Sequence, residues 1–252
     1  MRFDMHVHTR EGSPDGKAPL IKLAMHLRQQ GFDGMLVTDH NSFSGFDTQE
    51  AEAFAAVPKF VVLRGVEYDT RDAGHILVIL PDGVHHPMLS LRGMKLDRLT
   101  ELVHSLGGIL GPAHPYGTGF FALMHTRWVK QRRAVLAPFD FVETVNGCTA
   151  PEANTRAARL AQHFGKVCFG GSDAHRLEIV GCSYTDFTAQ IHCNNDLIAA
   201  VKQGSGIMPG GHLPRFCTLG HGRVVKWLGI TGYWLYNQSG AALKARARHK
   251  WY

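Results

Sequence analysis

From residue 2 onward the chain alternates short apolar runs with longer stretches of helical spacing. "RFDMHV" (2–7) reads as a short strand. In "APLIKLAMHLRQQG" (18–31), Leu20, Leu23, Ala24 and Leu27 share a helical face, and Gly31 sits where that helix would end. "DGMLVT" (33–38) reads as a buried strand, "DTQEAEAFAAV" (47–57) as a helix capped by Asp47 or Thr48, and "KFVVLRGVE" (59–67) as another strand. Further strands are expected at "HILVIL", "GGILGPA", "FDFVET" and "KVCFGG", with helices over 95–106, 152–164 and 195–203. Strands alternating with helices predict a mainly parallel sheet. About seven strands with no composition break predict a closed (β/α) barrel, an open doubly wound sheet being the alternative.

Polar residues interrupt this pattern at recurrent places. His6 and His8, Asp39 and His40, Glu67, His114, Glu143, and Asp173 with His175 all fall at or just past the end of an expected strand. In a barrel, loops on that edge build the active site. His75 differs, since it begins its strand.

Composition sharpens the picture. A chain of 252 residues, 44% hydrophobic, is long enough for one barrel-sized α/β domain. Its five cysteines (Cys148, Cys168, Cys182, Cys193, Cys217) are odd in number and lack a C-x-x-C pair, which argues against a disulfide framework and for a reducing compartment. Arg2 and Asp4 leave no apolar leader at the start, and the stretch 227–236 is too short for a membrane helix. A cytoplasmic location is expected. Charge is uneven: the last acidic residue is Asp196, and the basic residues beyond it account for the net charge of +6. Residues 1–203 therefore read as the functional domain and 204–252 as a basic, aromatic extension. Its Trp227, Trp234 and Tyr236 would pack on the barrel and its end would trail. The cationic end also leaves nucleic acid possible as a partner.

The sixteen histidines carry the chemistry. On a strand, His6 and His8 point the same way and can reach one ion, although such a pair alone is a weak signal. Recurrence strengthens it, because Glu67 follows a run that should enter the core, where a carboxylate is costly unless something positive meets it. "FGGSDAH" repeats the x+2 spacing with Asp173 and His175. Imidazole with carboxylate and no cysteine is a ligand set for Zn, Mn or Fe, and several such groups on one edge can hold two or three divalent ions. No Ser-His-Asp order, G-x-S-x-G elbow, P-loop or dinucleotide fingerprint competes.

In sequence order, H-x-H, T-D-H, G-V-E, G-H-I, A-H-P and G-S-D-A-H resemble the PHP (polymerase and histidinol phosphatase) superfamily over roughly residues 2–203. The resemblance implies a distorted (β/α)7 barrel and a di- or trinuclear centre that hydrolyses phosphoesters through a metal-bridging hydroxide. Carried over by motif, it implies His6, His8, Glu67 and Asp173 as ligands of one metal and His40 with His175 as ligands of a second. Glu67, His75 and His114 would hold a third, with Glu67 bridging. The loop "TREGSPDG" lacks a histidine found there in some members, and Asp15 resembles the aspartate that replaces it. Asp4 and Asp39 are expected behind the ligands, orienting imidazoles, with Glu143 and Asn146 beside the site. Arg10 and Arg176, which adjoin ligands, are the candidates for gripping a substrate phosphate. The expected activity is hydrolysis of a small phosphorylated metabolite or nucleotide. Alternatives are a nuclease acting on oligonucleotides, and a non-catalytic metal-binding regulatory module.

Overall fold

β1 (Arg2–Val7) is the strand on which the rest is assembled. In the computed structural model, which describes residues 1–48, 56–132 and 134–211 together with Thr231, Gly232 and Leu235, β1 pairs in parallel with β2 (Gly34–Val37). β2 in turn pairs in parallel with β3 (Val61–Asp69). Beyond β3 the direction reverses: β4 (His75–Ile79) and β5 (Ile109–Pro112) join antiparallel. On the other side of β1, β8 (Ser183–Phe187) and β9 (Ile207–Gly211) also join antiparallel. The seven-stranded order is β5-β4-β3-β2-β1-β8-β9. β6 (Phe141–Asn146) and β7 (Val167–Gly171) form a separate parallel pair.

The fold is therefore mixed α/β, a curled half-barrel sheet rather than the mainly parallel sheet predicted from the alternation of elements. For β3 and β4 the physical reason lies in the link. A parallel crossover needs a dozen or more residues, and only Thr70 to Gly74 separate β3 from β4, so these strands form a hairpin. The two-stranded piece sits between the arms of the sheet. Asp140 N–H donates to Leu110 O at 2.9 Å where β6 begins, and Asp173 N–H donates to His6 O at 2.8 Å just after β7. A hydrogen-bonded ladder runs through neither junction, and a complete (β/α)7 barrel is not what the strand pairing describes.

Three apolar clusters hold the layers. Phe3, Met5, Leu36, Leu63, Leu77, Phe141 and Phe169 fill the hollow of the sheet, with Phe141 stacked on Phe169 at 4.2 Å between ring centroids. α1 (Leu20–Gln29) buries the predicted face of Leu20, Leu23, Ala24 and Leu27 against Val7, Met35 and Val37. α2 (Leu96–Ser105) packs through Leu96, Leu99 and Val103 against Val78, Leu80 and Leu110. α3 (Pro151–His163) follows β6, and α4 (Asn194–Gln203) precedes β9. The helix expected from residue 47 starts at residue 44, and the remainder of that segment lies outside the described residues, as does nearly all of the extension's aromatic and basic stretch. β9, at the start of that extension, is an edge strand with Pro209 in it, where a missing N–H is tolerated. Among the described residues, no helix is long and apolar enough to cross a membrane.

Asn194, 3% exposed at the start of α4, ties that helix to two strands. Its Oδ1 accepts from Arg64 N at 3.0 Å, and its Nδ2 donates to Arg64 O at 2.6 Å and Leu80 O at 2.8 Å. Asn194→Ala would strand these backbone groups without partners, an expected loss of about 2–5 kcal/mol. Urea denaturation checks this: the midpoint should fall at unchanged slope, and an unshifted midpoint would refute it.

Candidate metal centre

The centre is built on the outgoing ends of β1 and β3 and on the turns after β2, β5 and β7. β7 can cross close over β1 because Gly171 has no side chain; a Cβ there would lie 2.5 Å from His6 Cβ. His114 and Asp173 adopt positive φ, at 29° and 55°, as does neighbouring Asn41 at 50°. Such backbone costs about 1–3 kcal/mol per residue, and here it is held by specific bonds. His114 N–H donates to Glu143 Oε2 at 2.6 Å, and Asp173 N–H to the His6 carbonyl.

At the centre, four donor atoms face one another. His6 Nε2 lies 3.1 Å from His8 Nε2, 3.4 Å from Glu67 Oε2 and 3.5 Å from Asp173 Oδ1. His8 Nε2 lies 3.3 Å from each of the same two carboxylate oxygens. A tetrahedral ion with bonds of about 2.0–2.1 Å separates its ligands by about 3.3 Å. The donors are thus spaced as ligands around one small cation. A second group comprises His8, Asp15, His40 and His175; Asp15 Oδ2 is 3.1 Å from His175 Nε2 and 3.7 Å from His40 Nε2. A third comprises His40, Glu67 and His75, with His75 Nδ1 at 2.9 Å and His114 Nε2 at 3.0 Å from Glu67 Oε1. The three groups share members through His8, His40 and Glu67. Their donor types and spacing fit divalent metal ions.

Outer groups aim these imidazoles. His6 Nδ1–H donates to Glu143 Oε1 at 2.9 Å, His40 Nδ1–H to Asp69 Oδ1 at 3.1 Å, and His175 Nδ1–H to the Asp173 carbonyl at 2.9 Å. Each bond keeps the proton on Nδ1 and leaves Nε2 as the nitrogen that faces inward, free to bind a cation once its own proton is displaced. Asn146 holds Glu143 Oε2 at 3.0 Å and Asp173 Oδ2 at 3.3 Å through its Nδ2. His8 Nδ1, in contrast, is buried with no hydrogen-bond partner among the described residues.

Charge in this buried place is set by mutual contact. Burial alone would raise the Glu67 carboxyl, but His75, His40 and His6, with the His114 hydrogen bond, drive it well below the ordinary carboxylate range. Asp173 and Asp15 are lowered likewise, against burial, by His6, His8 and His175 and by His175 and His40 respectively. Burial opposes the charged form of His40, yet Glu67, Asp69 and Asp15 raise it to about 10. His6, His114 and His175 are also raised.

All nine residues expected as ligands converge, but three expectations change. Asp4 does not touch an imidazole. Its carboxylate accepts backbone N–H groups from Ser172 and Gly181, each at 2.8 Å, and from His6 at 3.3 Å, and burial raises it to about 6. It pins β1 to the turn after β7. Asp39 accepts from Thr9 N–H at 2.6 Å and Thr9 Oγ1 at 2.7 Å, so it holds the loop after β1 rather than a ring. Arg10 and Arg176 do not line the cavity that holds the centre. They line an adjoining basin, on the far side of the chain segments that carry Asp15 and His175. Asp69 and its support Asn41, whose Nδ2 donates to Asp69 Oδ2 at 2.7 Å, were not anticipated. The signal was present in "EYD": Asp69 lies two residues after Glu67 and shares its strand face. The cavity, about 410 Å³, is bounded on its other side by Tyr116, Phe121, Thr149 and Ala153. Arg156 of α3 stacks over the Tyr116 ring at 4.1 Å.

Comparison with known proteins settles the family. Residues 4–168 match the PHP domain family, and residues 151–205 match the PHP-associated family. The chain belongs to the PHP family. No curated protein matches this PHP chain. Among solved structures, a candidate metal-dependent phosphoesterase from Bifidobacterium adolescentis is 16% identical, covering 81% of this chain and 96% of its own, with a TM-score of 0.59. An amidohydrolase from Chromobacterium violaceum is 18% identical over 82% of this chain and 97% of its own, at 0.55. A lesion-specific endonuclease from Pyrococcus furiosus is 16% identical over 85% of this chain but 59% of its own, also at 0.55. At these identities the shared property is the fold.

The raised histidines and lowered carboxylates set an expectation for the metal-free protein. Raised groups stabilise it fully below their unfolded pKa and lose that contribution as pH climbs, toward about 10 for His40. Lowered groups stabilise it above their unfolded pKa and lose that contribution as pH falls through the folded values. The chelated protein should therefore melt lower at about pH 9 than at about pH 6, and metal loading should shrink that difference because cations replace the protons. Calorimetry with and without chelator checks this; equal pH dependence in both forms would contradict it.

Proposed function

We propose that this PHP chain is a metal-dependent phosphoesterase acting on a small phosphorylated metabolite or nucleotide, with residues 1–203 carrying the activity. The observation that carries this reading is the sharing of the buried Glu67, 1% exposed, between donor groups spaced for separate cations at the floor of one cavity. In this reading His6, His8, Glu67 and Asp173 hold one ion, and Asp15, His40 and His175 hold a second. His75 and His114 meet Glu67 from the far side and complete a third. Divalent ions bound there would polarise a phosphoryl oxygen and acidify water at neutral pH.

The chain's own part is positioning. Glu143, Asp69 and the Asp173 carbonyl keep three imidazoles in one tautomer, so the donors need no rearrangement on binding. The convergence of His, Asp and Glu side chains directs an anionic phosphoryl group to the floor only when cations offset the carboxylates. Tyr116, Phe121 and Ala153 offer the leaving portion an apolar and aromatic wall. That wall favours a leaving group with a flat or apolar face over a free sugar.

The test is metal analysis followed by assay of phosphomonoesters, phosphodiesters, nucleoside bisphosphates and short oligonucleotides. Glu67→Gln should lower metal-dependent hydrolysis about 100- to 1,000-fold. Glu143→Gln, which acts through His6, should cost about 10- to 100-fold, partly recovered at high metal concentration. A metal-loaded protein that cleaves none of these substrates would favour a non-catalytic metal-binding module. Cleavage confined to oligonucleotides would favour a nuclease.

A further inference from the structure

Beside the metal cavity lies a second concavity, of about 440 Å³, lined by Arg10, Lys17, Lys22 and Arg176 together with Glu178 and the backbone entering α1. The two share a wall. Asp15 and His175 face the metal cavity, while Lys17 and Arg176, two and one residues further along, face the basin. Lys17 N–H donates to the His175 carbonyl at 2.9 Å and Arg10 N–H to the Ala18 carbonyl at 2.9 Å, so backbone bonds fix the three segments that carry the cations.

The charge here is not a sample of the domain's average. Up to residue 196 the chain has slightly more acidic than basic residues, yet four cations converge on this one concavity. Lys17, Lys22 and Arg176 form no ion pair among the described residues; Arg10 approaches only Glu11, at 3.4 Å. Glu11 is partly engaged elsewhere, since its Oε2 accepts from Leu20 N–H at 3.1 Å. Lys22 lies in the first turn of α1, a turn without acidic residues, where the helix dipole disfavours a cation. Two arginines, two lysines and a helix start thus line one shared space, an arrangement that an anion relieves.

We propose that this basin is a second phosphate-binding site, separate from the metal cavity and on the other side of their common wall. The ligand chemistry is a phosphate dianion. Its source is either the second phosphate of a doubly phosphorylated substrate, or the inorganic ion. The first source rests on the phosphoesterase reading above; the binding itself does not.

Calorimetric titration of the full chain with inorganic phosphate, before and after chelation, tests the site without requiring turnover. A class of phosphate sites should survive chelation, and Lys17→Gln/Lys22→Gln should weaken it roughly tenfold, as loss of a charge-assisted contact implies. Both lysines are exposed and unpaired among the described residues, so the doubly substituted chain should melt no lower than the parent. Phosphate binding that vanishes on chelation, or that ignores the double substitution, would overturn the proposal. Kinetics then separates the sources. A fall in the ratio of kcat/KM for a nucleoside bisphosphate over the matching monophosphate assigns the site to the substrate's second phosphate. An unchanged ratio with weaker inhibition by inorganic phosphate assigns it to the free ion. If Glu67→Gln leaves hydrolysis intact, the metal reading fails while the chelation-resistant phosphate site stands.

Discussion

A carboxylate that is 1% exposed, on a strand otherwise committed to the core, must be met by positive charge or become neutral. Glu67 is that carboxylate, and the rest of the structure supplies what it requires. His75 and His114 approach one oxygen, while His6, His8 and His40 approach the other. Asp69, Glu143 and Asp173 in turn balance those imidazoles. The fold can be understood as a device that brings five separate chain segments to this one side chain. Gly171, the strained His114 and Asp173, and the buried Asp4 that bonds three backbone N–H groups all serve that approach.

Much of this was legible because metal-type residues cluster at strand ends, and strand ends can be read from apolar runs. His40 and Glu67 were singled out for that reason, Asp15 only through the resemblance of its loop, and α1 packs through the four residues its spacing selects. The polarity of the strands was less accessible. A run such as "HILVIL" has the same composition in a parallel or antiparallel partner, and only the short link from β3 decides it. β8 was missed because its buried face is Ser183, Thr185 and Phe187, with Thr185 Oγ1 bonded to Gly170 on β7. Hydrophobic patterning has no signal for a buried face built of hydroxyls.

The same limit explains the second layer of the site. Asp4, Asp39, Asp69 and Glu143 are all carboxylates near histidines, and spacing alone does not tell which will hold a ring and which a backbone. Three-dimensional contact divides them: Asp69 and Glu143 aim imidazoles, whereas Asp4 and Asp39 fasten loops. Arg10 and Arg176 show the complementary case. Arg176 directly follows His175 in extended backbone, so its side chain faces away from the metal cavity, whereas Arg10 lies in the turn two residues past His8 and lines the same adjoining basin.

The most direct test of the shared role of Glu67 is anomalous diffraction from crystals of the zinc-loaded protein. The account predicts at least two neighbouring peaks, with Glu67 oxygens about 2.0–2.2 Å from each of two ions, and His6, His8 and Asp173 completing one of them. Ions coordinated without Glu67, or a single ion bound away from β1 and β3, would contradict it.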